Sequence, residues 1–285
     1  MSDIKIFIHL NGGTLNITRI QTAMAESRTV LGTHCSSEDI GLYEMCGPLG
    51  YDYVWIDDEH AGLTIPIIRN GIVGANAGGC AAFVRIRCND PALVKPILEC
   101  GPDGIIFPMI NSPDEAEKAV KSCLYPPMGI RGFGPLRAIN YGINNFHNFD
   151  EYMEFANKNI LKIIQTEHQA GVKNLDEILE VPGIDLVICG PMDLSASVGK
   201  LGRLTDTEVV GLMEEIIISC KAAKVPFGLS VSYDMDLAKF WIERGASFVS
   251  IGTAYDYFRI MSQQVLDEIK MFGNAGQKTN GLGSI

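Results

Sequence analysis

The sequence predicts an α/β fold, a closed (β/α)8 barrel of the TIM type, on three observations. Eight short runs of β-branched and other apolar residues alternate with longer helical stretches almost to the end of the chain. Each run is near-continuously apolar, as strands of a parallel sheet covered on both faces must be. The 285 residues hold one such barrel, which needs about 250 residues, with short extensions to spare.

In chain order the strands are expected at 30–33, 53–57, 82–86, 104–107, 160–165, 185–189, 225–231 and 248–251. Eight of them fit closure better than an open sheet. The helices between carry their own start signals. Asn89-Asp90-Pro91 opens one that ends near Gly101. Ser112-Pro113-Asp114-Glu115 has a capping serine, proline at the first helical position and glutamate three residues on. Ala116, Ala119, Val120 and Cys123 then share one helix face. Residues 125–148 form a long loop rich in Gly, Pro and Asn, and loops of that length inside a compact domain are usually functional. Residues 1–15 are expected as an N-terminal extension, 16–273 as a single barrel domain, and 274–285 as a polar, glycine-rich, disordered tail. There is no internal repeat and no inter-domain linker.

The apolar fraction of 47% and charged fraction of 20% exclude collagen-like, disordered and coiled-coil classes. Thirty-four acids against 23 bases leave a formal charge of −11. Phosphate backbones and anionic membrane surfaces repel such a chain, so neither nucleic acid nor membrane is expected as a partner. The cysteines at 35, 46, 80, 88, 100, 123, 189 and 220 form no C-x-x-C pair and no zinc cadence. They fit reduced core thiols in a cytoplasmic protein. Residues 4–10 are too short for a secretory leader and are interrupted by Lys5 and His9. No run reaches the ~18 apolar residues of a membrane span.

In such a barrel, chemistry collects at the C-terminal ends of the strands. Strand two ends in Asp57-Asp58-Glu59-His60, and strand three contains Arg85, followed by Arg87 and Asn89-Asp90. Strand five ends in Gln165-Thr166-Glu167-His168, and strand six in Gly190-Pro191-Met192-Asp193-Leu194-Ser195. The remaining strands contribute little that ionises beyond His34 and Asp234. Glu167 and Asp193 come from neighbouring strands, so their carboxylates can converge on one hard cation such as Mg²⁺ or Mn²⁺. The competing assignment is two ordinary helix-capping or ion-paired acids. Gly190-Pro191-Met192-Asp193 turns a strand into a helix start, where backbone N–H groups can hold carboxylate oxygens. His60 is either an idle rim residue or a general acid–base, since imidazole titrates near neutrality. Arg85 must find a carboxylate partner or face a pocket. A Schiff-base route would need a strand-end lysine. The candidate, Lys162, lies at the start of strand five, the wrong end.

These segments together resemble the HpcH/HpaI aldolase family. The resemblance covers most of the chain, from about Val30 to about Met271. It rests on Trp55-Ile56-Asp57-Asp58-Glu59-His60-Ala61, on Val84-Arg85 with Asn89-Asp90-Pro91, and on Tyr125-Pro126-Pro127-Met128-Gly129-Ile130-Arg131-Gly132-Phe133-Gly134. Gln165-Thr166-Glu167 and the run from Gly190 to Gly199 complete it. It implies a barrel of the phosphoenolpyruvate/pyruvate type that assembles as a hexamer, a trimer of dimers, by exchanging its last helix between subunits. It implies a divalent metal (Mg²⁺, Mn²⁺ or Co²⁺) held by Glu167 and Asp193, with no organic cofactor. The implied activity is reversible cleavage of a 4-hydroxy-2-oxo acid to pyruvate and an aldehyde through a metal-held pyruvate enolate. Gln165 and the Gly190-Pro191-Met192 backbone would hold the substrate, Arg85 would stabilise the enolate, and His60 would act as base. Glu99, an aspartate in other members, would raise the basicity of His60. Pro96 should kink that helix and draw its end back, and the longer glutamate should restore the reach. Three other activities stay open: an acyl-CoA lyase of the citrate or malyl-CoA kind, an oxaloacetate decarboxylase on the same site, and a non-catalytic metal-binding assembly protein.

Overall fold

The computed structural model describes residues 15–143 and 148–279, with side chains described through residue 272. Its sheet is a closed barrel of eight parallel strands in sequence order. These are β1 Val30–Cys35, β2 Tyr53–Asp57, β3 Ala81–Arg85, β4 Gly104–Phe107, β5 Leu161–Gln165, β6 Leu186–Cys189, β7 Phe227–Val231 and β8 Phe248–Thr253. β8 pairs back onto β1, Val30 beside Phe248. All eight lie where the sequence places them, with ends differing by a residue or two. The fold is the (β/α)8 TIM barrel.

Helix α1, Thr18–Ala25, precedes the first strand. α2 Ile40–Leu49, α3 Ile65–Ala77, α4 Pro91–Glu99 and α5 Pro113–Cys123 follow β1 to β4, and α6 Phe149–Asn159 leads into β5. α7 Gln169–Lys173, α8 Leu175–Leu179, α9 Pro191–Ser197, α10 Thr207–Ala223, α11 Met235–Glu243 and α12 Ala254–Thr279 complete the described helices. The capping signals act as their chemistry requires. Asp90 accepts from the Ala92 N–H at 2.8 Å and Ser112 from the Glu115 N–H at 3.3 Å. The Glu115 carboxylate reaches back at 2.7 Å to the N–H of Asn111, one residue before the serine.

Apolar burial falls into two shells, because successive strand residues face opposite ways. Tyr53, Trp55, Phe83, Ile106, Ile163, Ile188 and Phe248 fill the lumen. Val54, Ile56, Val84, Ile105, Ile164 and Val187 pack outward against the helices. Gly32 makes room for the large rings inside, since a Cβ there would stand 2.3 Å from the Tyr53 ring. Ile20 and Ala23 of α1 join the inner shell and close the end at which the strands begin. Asp103 fastens that closure by accepting from the backbone N–H of Asn16, from Ala82 N–H at 2.7 Å and from Asn76 Nδ2 at 3.0 Å. Burial pushes its carboxyl up to about 6 against those hydrogen bonds. Lys162 is also at this end, buried and 2.7 Å from Asp185.

One sequence boundary moves, that of the tail, and the loop, the tail and the N-terminal extension each lie partly outside the described residues. Of the 125–148 loop, residues 125–143 and 148 are described, and the loop starts where α5 has descended to the closed end. It packs there through Tyr125, which meets Tyr152 of α6, and through buried Arg131, whose guanidinium lies 4.3 Å from the Tyr125 ring centre. Helix α12 continues to Thr279, past the expected start of the tail at Asn274, while 280–285 lie outside the described residues. The N-terminal extension, apart from Leu15, also lies outside them.

Candidate active site

Every β-strand delivers its last residue to one end of the barrel, and β2, β3, β5 and β6 deliver charge there. Asp57 and Arg85 are register partners at the ends of β2 and β3. They form a two-pronged ion pair, Arg85 Nε to Asp57 Oδ1 at 2.9 Å and Nη2 to Oδ2 at 2.6 Å. The third guanidinium nitrogen, Nη1, lies 2.9 Å from Glu59 Oε2. Burial would raise the Asp57 carboxyl, but the Arg85 hydrogen bonds and charge outweigh it and hold the group below the usual carboxylate range. Asp57 Oδ1 also accepts from the Glu59 N–H at 3.0 Å, which turns the chain after β2. Arg85 therefore has the structural ion pair that the sequence offered as one alternative, on the strand face that it shares with lumen-filling Phe83.

Across the lumen, Glu167 follows β5 and is almost wholly buried. Its Oε1 accepts from the Met109 N–H at 3.0 Å, and its Oε2 from Gln165 Nε2. Met109 holds a left-handed backbone, φ 55°, to make that contact, a cost commonly met at functional sites. Burial pushes the Glu167 carboxyl up to about 8; the Met109 hydrogen bond opposes this, and Glu59 and Asp193 add repulsion. Glu59 is raised for the same first reason, burial, with Arg85 and His60 opposing. The mutual influence of Glu59, Glu167, Asp193 and Arg85 shows that the four groups share one space.

Gly190 is the residue that lets them do so. A Cβ there would stand 2.4 Å from Glu167 Oε2 and 2.7 Å from Gln165 Nε2. Without a side chain it cannot cap α9, which leaves the first-turn N–H groups uncapped by any side chain. Pro191 occupies the first turn, Met192 is half exposed at the rim, and Asp193 lies in the same turn. His60 is open, 64% exposed, with Nε2 3.7 Å from Glu59 Oε2.

The structure thus gathers His60, Arg85, Gln165, Glu167, Gly190, Pro191, Met192 and Asp193 at one mouth. It does not bring Glu99 there within the chain. α4 starts just after β3 at the mouth and runs antiparallel to the strands. Nine residues at 1.5 Å each carry Glu99 roughly 13 Å down to the closed end. One methylene cannot recover that distance, so the expected reach past the Pro96 kink fails. Glu99 instead faces buried Arg131 at 3.8 Å, and burial raises its carboxyl against the pull of Arg131 and Lys95. The carboxylate nearest His60 is Glu59. The sequence had not singled out Asp57 or Glu59 from their acidic run, although the matching positions of Asp57 and Arg85 at their strand ends were a usable signal.

Among the described residues no three His, Cys, Asp or Glu side chains surround one point. Glu167 and Asp193 stand at the ends of neighbouring strands, Glu167 buried and Asp193 exposed, and burial first, with repulsion from Glu59 and Asp193 after it, makes Glu167 costly to ionise. Gln165 Oε1 is buried without a hydrogen-bond partner beside them. This donor set fits a hard divalent cation whose remaining ligands are water or substrate oxygens.

Residues 31–259 match the HpcH/HpaI aldolase/citrate lyase family. The chain is 31% identical over 252 residues to a 5-keto-4-deoxy-D-glucarate aldolase of Citrobacter koseri, covering 88% of this chain and 96% of that one. It superposes with a TM-score of 0.82 on an HpcH/HpaI aldolase from Desulfitobacterium hafniense DCB-2, at 26% identity over 88% of this chain and 96% of the other. A family protein from Burkholderia cenocepacia J2315 superposes with a TM-score of 0.81, at 27% identity over 88% and 98%. By match length, identity and fold together, the chain belongs to the HpcH/HpaI aldolase/citrate lyase family and is a carbon–carbon lyase.

Proposed function

We propose that the chain is a divalent-metal-dependent aldolase that reversibly cleaves a 4-hydroxy-2-oxo acid to pyruvate and an aldehyde. The observation that carries this is a buried, permanently charged Arg85, oriented by Asp57 and Glu59, sharing one mouth with the Glu167–Asp193 pair. Curated relatives that carry the aldolase name at 31% identity over most of the chain support it. Glu167 and Asp193 would hold Mg²⁺, Mn²⁺ or Co²⁺, which supplies Lewis-acid polarisation of a 2-oxo acid. Gln165 and the Gly190-Pro191-Met192 backbone hold the acid in place. His60 accepts the proton of the C4 hydroxyl as the C3–C4 bond breaks. The bonding pair moves into the pyruvyl fragment, and Arg85 faces the oxygen on which negative charge grows. A proton then returns to C3 to give the methyl group of pyruvate.

The protein would act as a homo-oligomer in the reducing cytoplasm. α12 leaves its barrel with Tyr255, Phe258, Ile269 and Phe272 exposed. A cavity of about 370 Å³ between α2 and the base of α12 is lined by Leu42, Met45, Leu49 and Tyr51. In a trimer of dimers with exchanged last helices, a partner's α12 would cover these apolar faces. Seven of the eight cysteines are buried and all are unpaired. No described helix is long and apolar enough to cross a membrane.

The test is hydrogen–deuterium exchange at the pyruvate methyl group with each metal, followed by a panel of 4-hydroxy-2-oxo acids. Exchange and pyruvate release that chelator abolishes would support the assignment. Activity in excess chelator, borohydride trapping of an imine, or cleavage of acyl-CoA thioesters alone would overturn it.

A further inference from the structure

His34 is an imidazole to which nothing above gives a task. It lies on β1, beside Trp55 in the β1–β2 register, and its ring stacks on the Trp55 indole at 4.5 Å and 21°. The Arg85 guanidinium lies over the same indole, 5.2 Å from its centre. Trp55 is fully buried and its Nε1 has no hydrogen-bond partner, so packing alone fixes its plane. The His34 ring is in turn tied across the lumen, Nε2 to Ser230 Oγ at 2.8 Å.

We propose that His34 is a positioning residue for Arg85: tied to Ser230, it holds the Trp55 indole against which the guanidinium lies. Asp57 and Glu59 grip the edge of that guanidinium but leave its face to Trp55. A purely apolar ring at position 34 would stack equally well but could not bond Ser230. A charged one would repel Arg85 and compete for Asp57. The site avoids that outcome: burial first, and Arg85 second, push the imidazole down to about 3, against the opposing pull of Asp57 and Asp256. The groups facing it are therefore Arg85 from β3, Asp57 from β2, Ser230 from β7 and Asp256 from α12. His34 stays neutral over the whole working range.

The kinetic arm of the test rests on the proposed function; the spectroscopic arm does not. In the spectroscopic arm, the ¹⁵N signal of Arg85 Nε–H, bonded to Asp57, is followed in the intact protein. It should shift or broaden in His34→Leu and return in His34→Gln, whose carboxamide can bond Ser230. In the kinetic arm, His34→Leu should lower kcat by about 10-fold with KM little changed, and the loss should largely vanish in an Arg85→Ala background, since coupled residues are non-additive. An unmoved Arg85 signal in a folded His34→Leu protein overturns the proposal, and so does a loss that is fully additive with Arg85→Ala. A raised KM with an unmoved Arg85 signal would instead make His34 a substrate contact. A responsive Arg85 signal in a protein that never exchanges the pyruvate methyl group would sustain the positioning role and sink the aldolase assignment.

Discussion

Arg85 lies edge-on to Asp57, its Nε and Nη2 on the two carboxylate oxygens at 2.9 and 2.6 Å. Two parallel charge-assisted bonds fix the plane of the guanidinium as well as its position. Asp57→Asn keeps the shape and removes the charge. Breaking one side of a buried pair costs about 3 kcal/mol or more, so denaturant unfolding should show a loss of that size. Turnover should fall by about 10-fold or more with KM little changed, because the cation matters most where negative charge grows. Wild-type stability and rate in Asp57→Asn would remove Asp57 from the machinery.

Gly190 is a test of crowding. Its φ of −96° is open to alanine, so Gly190→Ala should fold with little change in melting temperature. The new methyl, however, would meet the Glu167 carboxylate. Mn²⁺ titration by calorimetry should show an affinity about 10-fold lower or worse, the range found when the supports of metal ligands are disturbed. Undiminished affinity would mean that Glu167 does not bind the ion from its present rotamer.

Glu167 links metal and proton. Its carboxyl sits at about 8 in the fold against an ordinary value of 4.5. A raised carboxyl stabilises the fold below its unfolded value, and that contribution disappears as pH rises through the folded value. Metal-free protein should therefore lose stability between these limits. A cation competes with the proton, so its apparent affinity should climb about tenfold per pH unit up to about pH 8 and then level off, with one proton released. Affinity that stays flat across that range would contradict the assignment of Glu167 as a ligand.

Ile269, on the outer length of α12, is 65% exposed in the single chain. A carboxylate there costs little in a monomer and much in a dry interface. Ile269→Asp should leave the barrel folded while light scattering reports a smaller assembly. An unchanged mass would show that α12 is not an assembly element.

The eight strands were legible because burial on both faces forces continuous apolar runs, and the helix starts because caps and prolines are local chemistry. The site was legible where chemistry sits at a strand end, as with Arg85, Glu167 and Asp193. Glu99 was not, since its contacts depend on which end of a nine-residue helix it occupies, and that follows from the direction of travel rather than from residue type. Asp57 and Glu59 were hidden for a related reason. Three acids in a row look alike until strand register picks the one that faces Arg85. The left-handed Met109 has no sequence signature at all, because methionine is not a residue that announces a positive φ.

The seal that α1 and Asp103 place across one end of the lumen has a kinetic consequence. Substrate must arrive, and both products must depart, by a single opening. Under the proposed activity the pyruvyl fragment would be held deeper, beside buried Arg85 and Glu167, and the aldehyde fragment would lie outward toward exposed His60. On that placement the aldehyde should leave first and pyruvate last, and in the synthetic direction pyruvate should bind first. Product-inhibition patterns should show pyruvate competing with the hydroxy-oxo acid and the aldehyde inhibiting non-competitively, an order imposed by a closed floor rather than by any residue that touches the substrate.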